Sequence, residues 1–491
     1  MPPYLVESRG FFWQSELVVP DTHFAHPTSV PGVLRVSETG RIDLELDAPL
    51  GRPDPVDRVS RLFHQGPVEG SVAGVLTGTD ERVWLGGLSR NGGNTHTDGP
   101  STEAYLASQC LISHDRFNAE KVLRFSRLDI PLDGLEDWLV LRSIKVRKTE
   151  RTVSATYRSP AAQRWSLKGQ TLELARWIDG PHAPKMREVA WQERASLRLL
   201  RSKRTLTAHD AIDLTSKIQD LLILLTDSNR GVPFPILRRT RKSPPVRLYY
   251  RRARRGPEPV IWDQCFASFG LCREPFGAVL ENWLGLYDRF GPGVHLYLGN
   301  RRGQVMYPEH RFASLVWGLE ALHRTLYPAP ATHPNLVAKV QRILDAIATK
   351  KDRDWAERWL PQSDEPSLAT RIAQLLATLP LEFQLGQLKT FAERCAKRRN
   401  DVSHFGGRRA PGDYDAFVDD IQLLSSALSV LYHALLLHLA GLPTSLVQRR
   451  FIDGHSSFAA VRVLEDAGLT LLSDQTVAAG EDQAISSQRD V

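Results

Sequence analysis

The chain reads as an α+β multidomain protein in which a β-rich N-terminal region is followed by a C-terminal all-α helical bundle. Three observations predict this. Short runs of alternating apolar residues, bounded by Gly, Pro, Asn and Asp, fill residues 1–194. After residue 305, apolar residues recur at helical spacing through several successive segments. With 491 residues, the chain has room for roughly two to four domains with substantial cores. The expected division is a β-rich N-terminal domain at 1–194, a mixed α/β segment with a basic stretch at 195–304, the bundle at 305–445, and a partly disordered C-terminal extension at 446–491.

Leu34 and Val36, then Ile42, Leu44 and Leu46, alternate across a SETG turn and predict a hairpin with one buried face. VAGVL, RVWLGGL, AYLASQCLI, TVSATYR and WSLKGQTLELARWI repeat the pattern, so a sandwich or open barrel is expected. The glycine-rich stretch at 86–102 lacks the GKS or GKT of a phosphate loop and reads as a flexible connection. SLRLLRSKRTLT is expected to be a last strand, and AHDAIDLTSKIQDLLILLTD a helix capped by Asp210 or a neighbour. Residues 258–303 look mixed, helical around FGAVLENWLGLYDRF, with a GPG turn before VHLYLG.

The most basic segment, 238–255, holds nine Lys or Arg residues and no acid. Arg238, Arg239, Arg241, Lys242, Arg247, Arg251 and Arg252 surround Tyr249 and Tyr250 and form a candidate RNA-binding set. Arginine interleaved with aromatics suits a single-stranded nucleic acid, with phosphates on the charge and bases on the rings. A solvated basic loop and edge strand would carry the same composition.

Five helices are expected in the bundle. Phe312, Leu315, Val316, Leu319 and Leu322 define the first; Leu336, Val340, Ile343, Leu344 and Ile347 the second; SLATRIAQLLATL the third. QLKTFAERCAKRRN is the fourth, and Phe417, Ile421, Leu424, Leu428, Leu431 and Leu435 mark the fifth. Short connections make this an up-and-down bundle. The apolar run Leu423 to Leu439 includes Ser425, Ser426, Tyr432, His433 and His438 and reads as a core helix, with no membrane span expected.

A net charge of +7 and a pI near 9.2 permit an acidic partner without requiring one. Cys110, Cys265, Cys272 and Cys395 form no CxxC pair, which points to a reducing cytosol and away from a zinc site; no cofactor or metal is expected. The N-terminus lacks the basic start and apolar core of a signal peptide, so a cytoplasmic location is expected.

The fourth helix carries the chemistry. Leu388, Phe391, Ala392 and Cys395 form an apolar stripe whose continuation arrives at Arg399, followed by Asn400, His404 and a Gly406-Gly407 stop. A fixed positive charge beside a group that titrates near neutrality suits phosphodiester cleavage. Two cations capping a helix C-terminus would look the same. The bare spacing also occurs at Arg204 with His209 and at Arg450 with His455, but neither pair ends a comparable helix.

A bundle whose fourth helix ends Arg-Asn-x-x-x-His resembles the HEPN superfamily. Together with a β-rich region ahead of a bundle opening RFASLVWGLEAL, it is similar to the ApeA-type antiphage HEPN proteins. GFFW, VPGVL and IDLEL within residues 10–46, then LDIPLDGLEDWL and ENWLGLY, carry the resemblance further, over roughly residues 5–445. It implies a HEPN bundle and a metal-independent endoribonuclease in which the RNA's 2'-hydroxyl attacks the adjacent phosphate. His404 would be the acid/base, Arg399 would stabilise the phosphate, Asn400 would orient one of them, and Glu320 would pair with the arginine. A homodimer would bring two such sites together. RNA, with tRNA a plausible substrate, and an unidentified phage-derived trigger are the implied partners. The alternative is a non-catalytic HEPN dimer that serves as an RNA- or ligand-binding sensor or scaffold.

Overall fold

The computed structural model describes residues 4–51, 66–94, 101–115, 123–185, 188–201, 205–229, 231–252, 260–261, 264–302, 306–328, 334–360, 365–403, 413–452 and 455–472. They form two compact units, one of residues 1–223 and 230–262, the other of 224–229 and 263–491. The division differs from the expected one. A boundary at 194 would cut a strand, Glu188–Arg201, and the 195–304 segment splits between the units because its strands, and its first helix up to residue 223, lie in the first unit while its helices after residue 263 belong to the second.

The strands of the first unit are β1 (Tyr4–Gln14), β2 (Val30–Ser37), β3 (Ile42–Leu46), β4 (Pro67–Val68), β5 (Val72–Leu76), β6 (Arg82–Asn94), β7 (Thr102–Ser113) and β8 (Arg127–Ile130). They continue as β9 (Ile144–Lys148), β10 (Val153–Tyr157), β11 (Gln163–Leu167), β12 (Gln170–Lys185), β13 (Glu188–Arg201), β14 (Ile236–Arg238) and β15 (Val246–Tyr250). Among the described residues thirteen of them share one antiparallel sheet. Strand β7 explains its shape. One edge pairs with β6; the other pairs with β3 over Glu103 to Ala107 and with β15 over Gln109 to Ile112. The ring β1-β2-β3-β7-β6-β5 therefore closes into a barrel, while the second half of β7 leads through β15, β14, β8, β13 and β12 to β11.

The alternation read from sequence fills the barrel. Phe12, Leu34, Val36, Ile42, Leu44, Leu46, Leu85 and Ile112 are buried together, so the interior is a packed core. The SETG turn ends at Gly40, whose φ of +74° suits glycine and whose added Cβ would lie 1.8 Å from the Tyr250 carbonyl oxygen. Gly40→Ala is expected to destabilise the first unit by about 2 kcal/mol or more, through strain and a backbone clash together; a lowered thermal midpoint checks it. Of the expected loop at 86–102, residues 86–94 are strand and 95–100 lie outside the described residues. Gly86, Gly87, Gly92 and Gly93 sit in β6, with a register shift between Arg90 and Gly93 where Gly92 and Gly93 take positive φ.

A one-turn helix, α1 (Leu135–Trp138), follows β8, and α2 (Ala208–Thr226) follows β13. Thr207 and Asp210 cap α2 reciprocally: the Thr207 N–H donates to Asp210 at 2.8 Å, and the Asp210 N–H to the Thr207 hydroxyl at 3.1 Å. These contacts, opposed by burial, hold the Asp210 carboxyl below its usual range.

The second unit contains α3 (Phe269–Cys272), α4 (Phe276–Phe290), α5 (Pro292–Arg301), α6 (Pro308–Leu326), α7 (Pro334–Asp345), α8 (Lys350–Trp359) and α9 (Leu368–Leu376). They are followed by α10 (Gln387–Ser403), α11 (Tyr414–Leu439), α12 (Thr444–Ile452) and α13 (His455–Asp466). The VHLYLG stretch is helical because Pro292 occupies the first turn of α5, where a missing N–H is harmless. Helix α6 is central, packing against α4, α5, α9, α10 and α11. Gly318 lets Tyr432 approach α6, and the Tyr432 hydroxyl donates to the Gly293 carbonyl. Helix α11 is long and apolar enough to cross a membrane, but Leu424, Leu428, Leu431 and Leu435 are wholly buried in the bundle.

One expectation for this half changes. The second predicted helix does not enter the core: Leu344 alone of α7 is buried, Val337 and Ile343 are exposed, and α7 packs chiefly on α8, whose Trp355 and Trp359 are also exposed. The segment after 446 is structured as far as Leu472. Val447, Phe451, Leu464 and Leu469 are buried, and α13 packs on α11. Residues 473–491, predicted to be disordered, lie outside those described.

Candidate functional site

Helix α10 buries Phe391, Ala392 and Cys395, as its periodicity requires. Arg399 lies one turn beyond Cys395 on the same face and is half-buried. Its Nη2 is 3.6 Å from Glu320 Oε2 on α6, and its Nη1 donates to Asn400 Oδ1 at 3.2 Å. Among the described residues its Nε is buried without a hydrogen-bond partner. The structure thus brings together Arg399, Asn400 and Glu320; His404 lies outside the described residues.

The Arg399 contact with Glu320 is loose. A part-exposed ion pair of this length contributes about 0–1 kcal/mol, so the guanidinium fork is largely uncommitted. Glu320 has a firmer partner in Arg324, one turn along α6, at 3.2 Å. Arg398, the neighbour of Arg399, is engaged elsewhere: with Arg394 it clasps Asp420 of α11 at 2.5 and 2.8 Å. Burial pushes the Asp420 carboxyl up, and these guanidinium hydrogen bonds outweigh it, leaving the group below its usual range. Of the arginines of α10, Arg394 and Arg398 are structural. Arg399 is available.

Behind Glu320 runs a polar chain that periodicity did not reveal. Arg324 also meets Glu365 at 3.0 Å; Glu365 accepts from Arg371 at 2.6 Å; and Arg371, 4 % exposed, donates to His323 Nδ1 at 3.3 Å. With Nδ1 accepting, Nε2 carries the proton and donates to Gln374 at 2.8 Å. Burial first, and then Arg371 and Arg324, hold His323 below the usual imidazole range. His323 is therefore neutral and fully engaged, a support for α6 and α9 and not a proton donor. The Glu320, His323 and Arg324 spacing of three and four was the signal in the sequence for this shared helix face.

The basic segment does not assemble as the candidate RNA-binding set. Arg238 ends β14, and Arg247, Tyr249 and Tyr250 lie in β15, two strands inside the sheet and not on an edge. Tyr249 is 6 % exposed and packs in the barrel core, so it offers no ring face; Tyr250 is half-buried with its edge on Phe234. Arg239 pairs with Asp115 and Arg247 with Glu81, at 2.5 and 2.7 Å. Arg238 donates to the Ser243 carbonyl, and Arg252 stacks 3.9 Å over Phe234. Arg241, Lys242 and Arg251 remain exposed, without an ion pair among the described residues.

Arg450 is bound to Asp227 at 2.6 Å; Arg204 and the His455 side chain lie outside the described residues. Among the described residues no group of three or more His, Cys, Asp or Glu side chains converges in a way that could hold a metal ion.

A family model described as ApeA N-terminal domain 1 matches residues 7–283, and one described as Apea-like HEPN matches residues 313–446. No curated protein and no solved structure matches the chain. The first match spans more than half of the sequence and the second covers the helices that carry Glu320 and Arg399, so the chain belongs to the ApeA-type HEPN proteins of antiphage defence.

Proposed function

We propose that this protein is an endoribonuclease that cuts RNA, tRNA among its plausible substrates, when infection releases its activity. The observation that carries the reading is Arg399: a half-buried guanidinium with a loose carboxylate contact, an amide from Asn400 and a buried Nε without a partner. A cation kept uncommitted beside a helix interface is placed to take a phosphodiester. The neutral imidazole of His404 accepts the 2'-hydroxyl proton as that oxygen attacks the adjacent phosphorus. Arg399 neutralises the charge gathering on the non-bridging oxygens. The bond from phosphorus to the 5'-oxygen breaks, and an imidazolium returns a proton to the leaving group. The products are a 2',3'-cyclic phosphate and a 5'-hydroxyl. A homodimer in the cytoplasm would supply one imidazole as base and a second as acid.

The test is to incubate the purified chain with total cellular RNA in EDTA, with and without extract from infected cells, and to determine the chemistry of the new ends. Cleavage leaving cyclic phosphate or 3'-phosphate ends is expected. Cleavage only with added magnesium, leaving 5'-phosphate ends, would overturn the mechanism. RNA left intact under all conditions favours the non-catalytic sensor reading.

A further inference from the structure

Strands β9 and β10 form a two-stranded sheet of their own. Every residue from Lys145 to Thr156 is exposed, on both faces. A two-stranded hairpin with no buried face is marginal in water, and this one is held by its turn, where Thr149 and Thr152 exchange backbone and hydroxyl bonds at 2.7 to 3.0 Å. Its charge is one-sided. Arg142, Lys145, Arg147, Lys148, Arg151 and Arg158 face a single acid, Glu150. None of the six makes an ion pair among the described residues, unlike Arg239 and Arg247 in the sheet.

The register sorts these groups. Lys145 lies opposite Thr156 and Arg147 opposite Ser154, so one face presents two cations each beside a hydroxyl. Lys148 opposite Val153 and Val146 opposite Ala155 make the other face. Alternate residues of a strand are about 6.6–6.8 Å apart, close to the separation of successive phosphates along a nucleic-acid strand. We propose that this hairpin is a nucleic-acid-binding arm that grips the phosphodiester backbone along the Lys145 and Arg147 face and, where the strand passes over the turn, through Lys148 and Arg151. Hydroxyls beside cations suit phosphate oxygens. The tip, Thr149 to Thr152, has no large apolar residue to enter a bilayer, which sets a lipid surface aside. The inference is independent of the nuclease reading because it concerns binding alone.

The experiment measures anisotropy of fluorescent RNA and DNA oligonucleotides of one sequence, in EDTA and over a series of salt concentrations. It compares the full chain, His404→Ala to prevent cutting, with the same protein carrying Lys145→Ala, Arg147→Ala, Lys148→Ala and Arg151→Ala. The variant is expected to bind at least about tenfold more weakly, with a salt dependence shallower by about three in the log–log slope, at roughly 0.7–0.9 per lost phosphate contact. Exchanging Lys145→Arg and Arg147→Lys should restore both. Equal loss on RNA and DNA supports a grip on the backbone alone; loss on RNA only supports an added contact to the 2'-hydroxyl. An unchanged slope overturns the proposal, and so does hairpin-dependent binding to phosphatidylserine vesicles without binding to oligonucleotides. Should the fourfold variant lose its fold, Arg147→Glu carries the same test.

Discussion

Arg399→Ala is expected to reduce RNA cleavage by roughly 10²- to 10³-fold, the loss typical of removing one donor to a developing oxyanion, while hardly moving the unfolding midpoint. The two halves of this expectation come from the same geometry. The side chain makes one part-exposed ionic contact at 3.6 Å and one hydrogen bond to its own neighbour, interactions that together amount to about 1 kcal/mol. Glu320 is not stranded by the change, because Arg324 still reaches it at 3.2 Å. Arg399→Lys keeps the charge and loses the planar fork, so partial recovery is expected. Asn400→Ala, which frees the guanidinium without removing it, is expected to cost about tenfold, one hydrogen bond's worth. His404→Ala should abolish cleavage. Initial rates on one RNA, set beside thermal midpoints, decide the matter: a collapse of stability with Arg399→Ala would make the residue a structural cap.

How legible all this was depends on the range of the interactions. The stripe through Phe391 and Cys395 to Arg399 is a local pattern, and the helix followed it. Glu320 sits within one helix whose periodicity was plain, and its place beside Arg399 came from the family resemblance. Barrel closure was not legible, because it depends on β7 changing partners between β3 and β15, which lie far apart in the chain. The basic stretch misled for the same reason. Arg239 and Arg247 looked unopposed because their acids, Asp115 and Glu81, are 124 and 166 residues away. The alternation of Val246 and Leu248 with Arg247 is the local sign of a buried strand. Conversely, the cations of β9 and its turn, Lys145, Arg147, Lys148 and Arg151, meet no acid in an ion pair among the described residues. Counting charges locally identifies a basic surface only after distant partners are subtracted.

The second unit is expected to lose stability as pH falls from about 6.5 to 4, and His433 is the principal cause. Its ring is buried at 4 % exposure, stacked on Phe266, with Nε2 donating to the Leu224 carbonyl at 2.6 Å. Nδ1 lies 3.5 Å from Asp227, a carboxylate already held by Arg301 and by Arg450. Burial lowers the imidazole to about 4, a shift the two arginines reinforce and Asp227 with the Leu224 bond oppose. In the unfolded chain a histidine titrates near 6.5. Above that value neither state holds the proton and nothing is lost. As pH falls, the unfolded state protonates first and is favoured, until the folded site also protonates near 4 and the loss is complete. At 1.36 kcal/mol per unit the difference is about 3 kcal/mol. His323 and His438, also lowered chiefly by burial, add to the same window, so wild-type slope alone cannot assign it. His433→Gln removes the titration and keeps a donor for Leu224. Hydrogen exchange of the α11 amides at pH 7.5 and 4.5 should show strong loss of protection in the wild type and a clearly smaller one in the variant. Equal losses in both would place the proton elsewhere and leave the Asp227, Arg301 and Arg450 cluster a purely structural clamp.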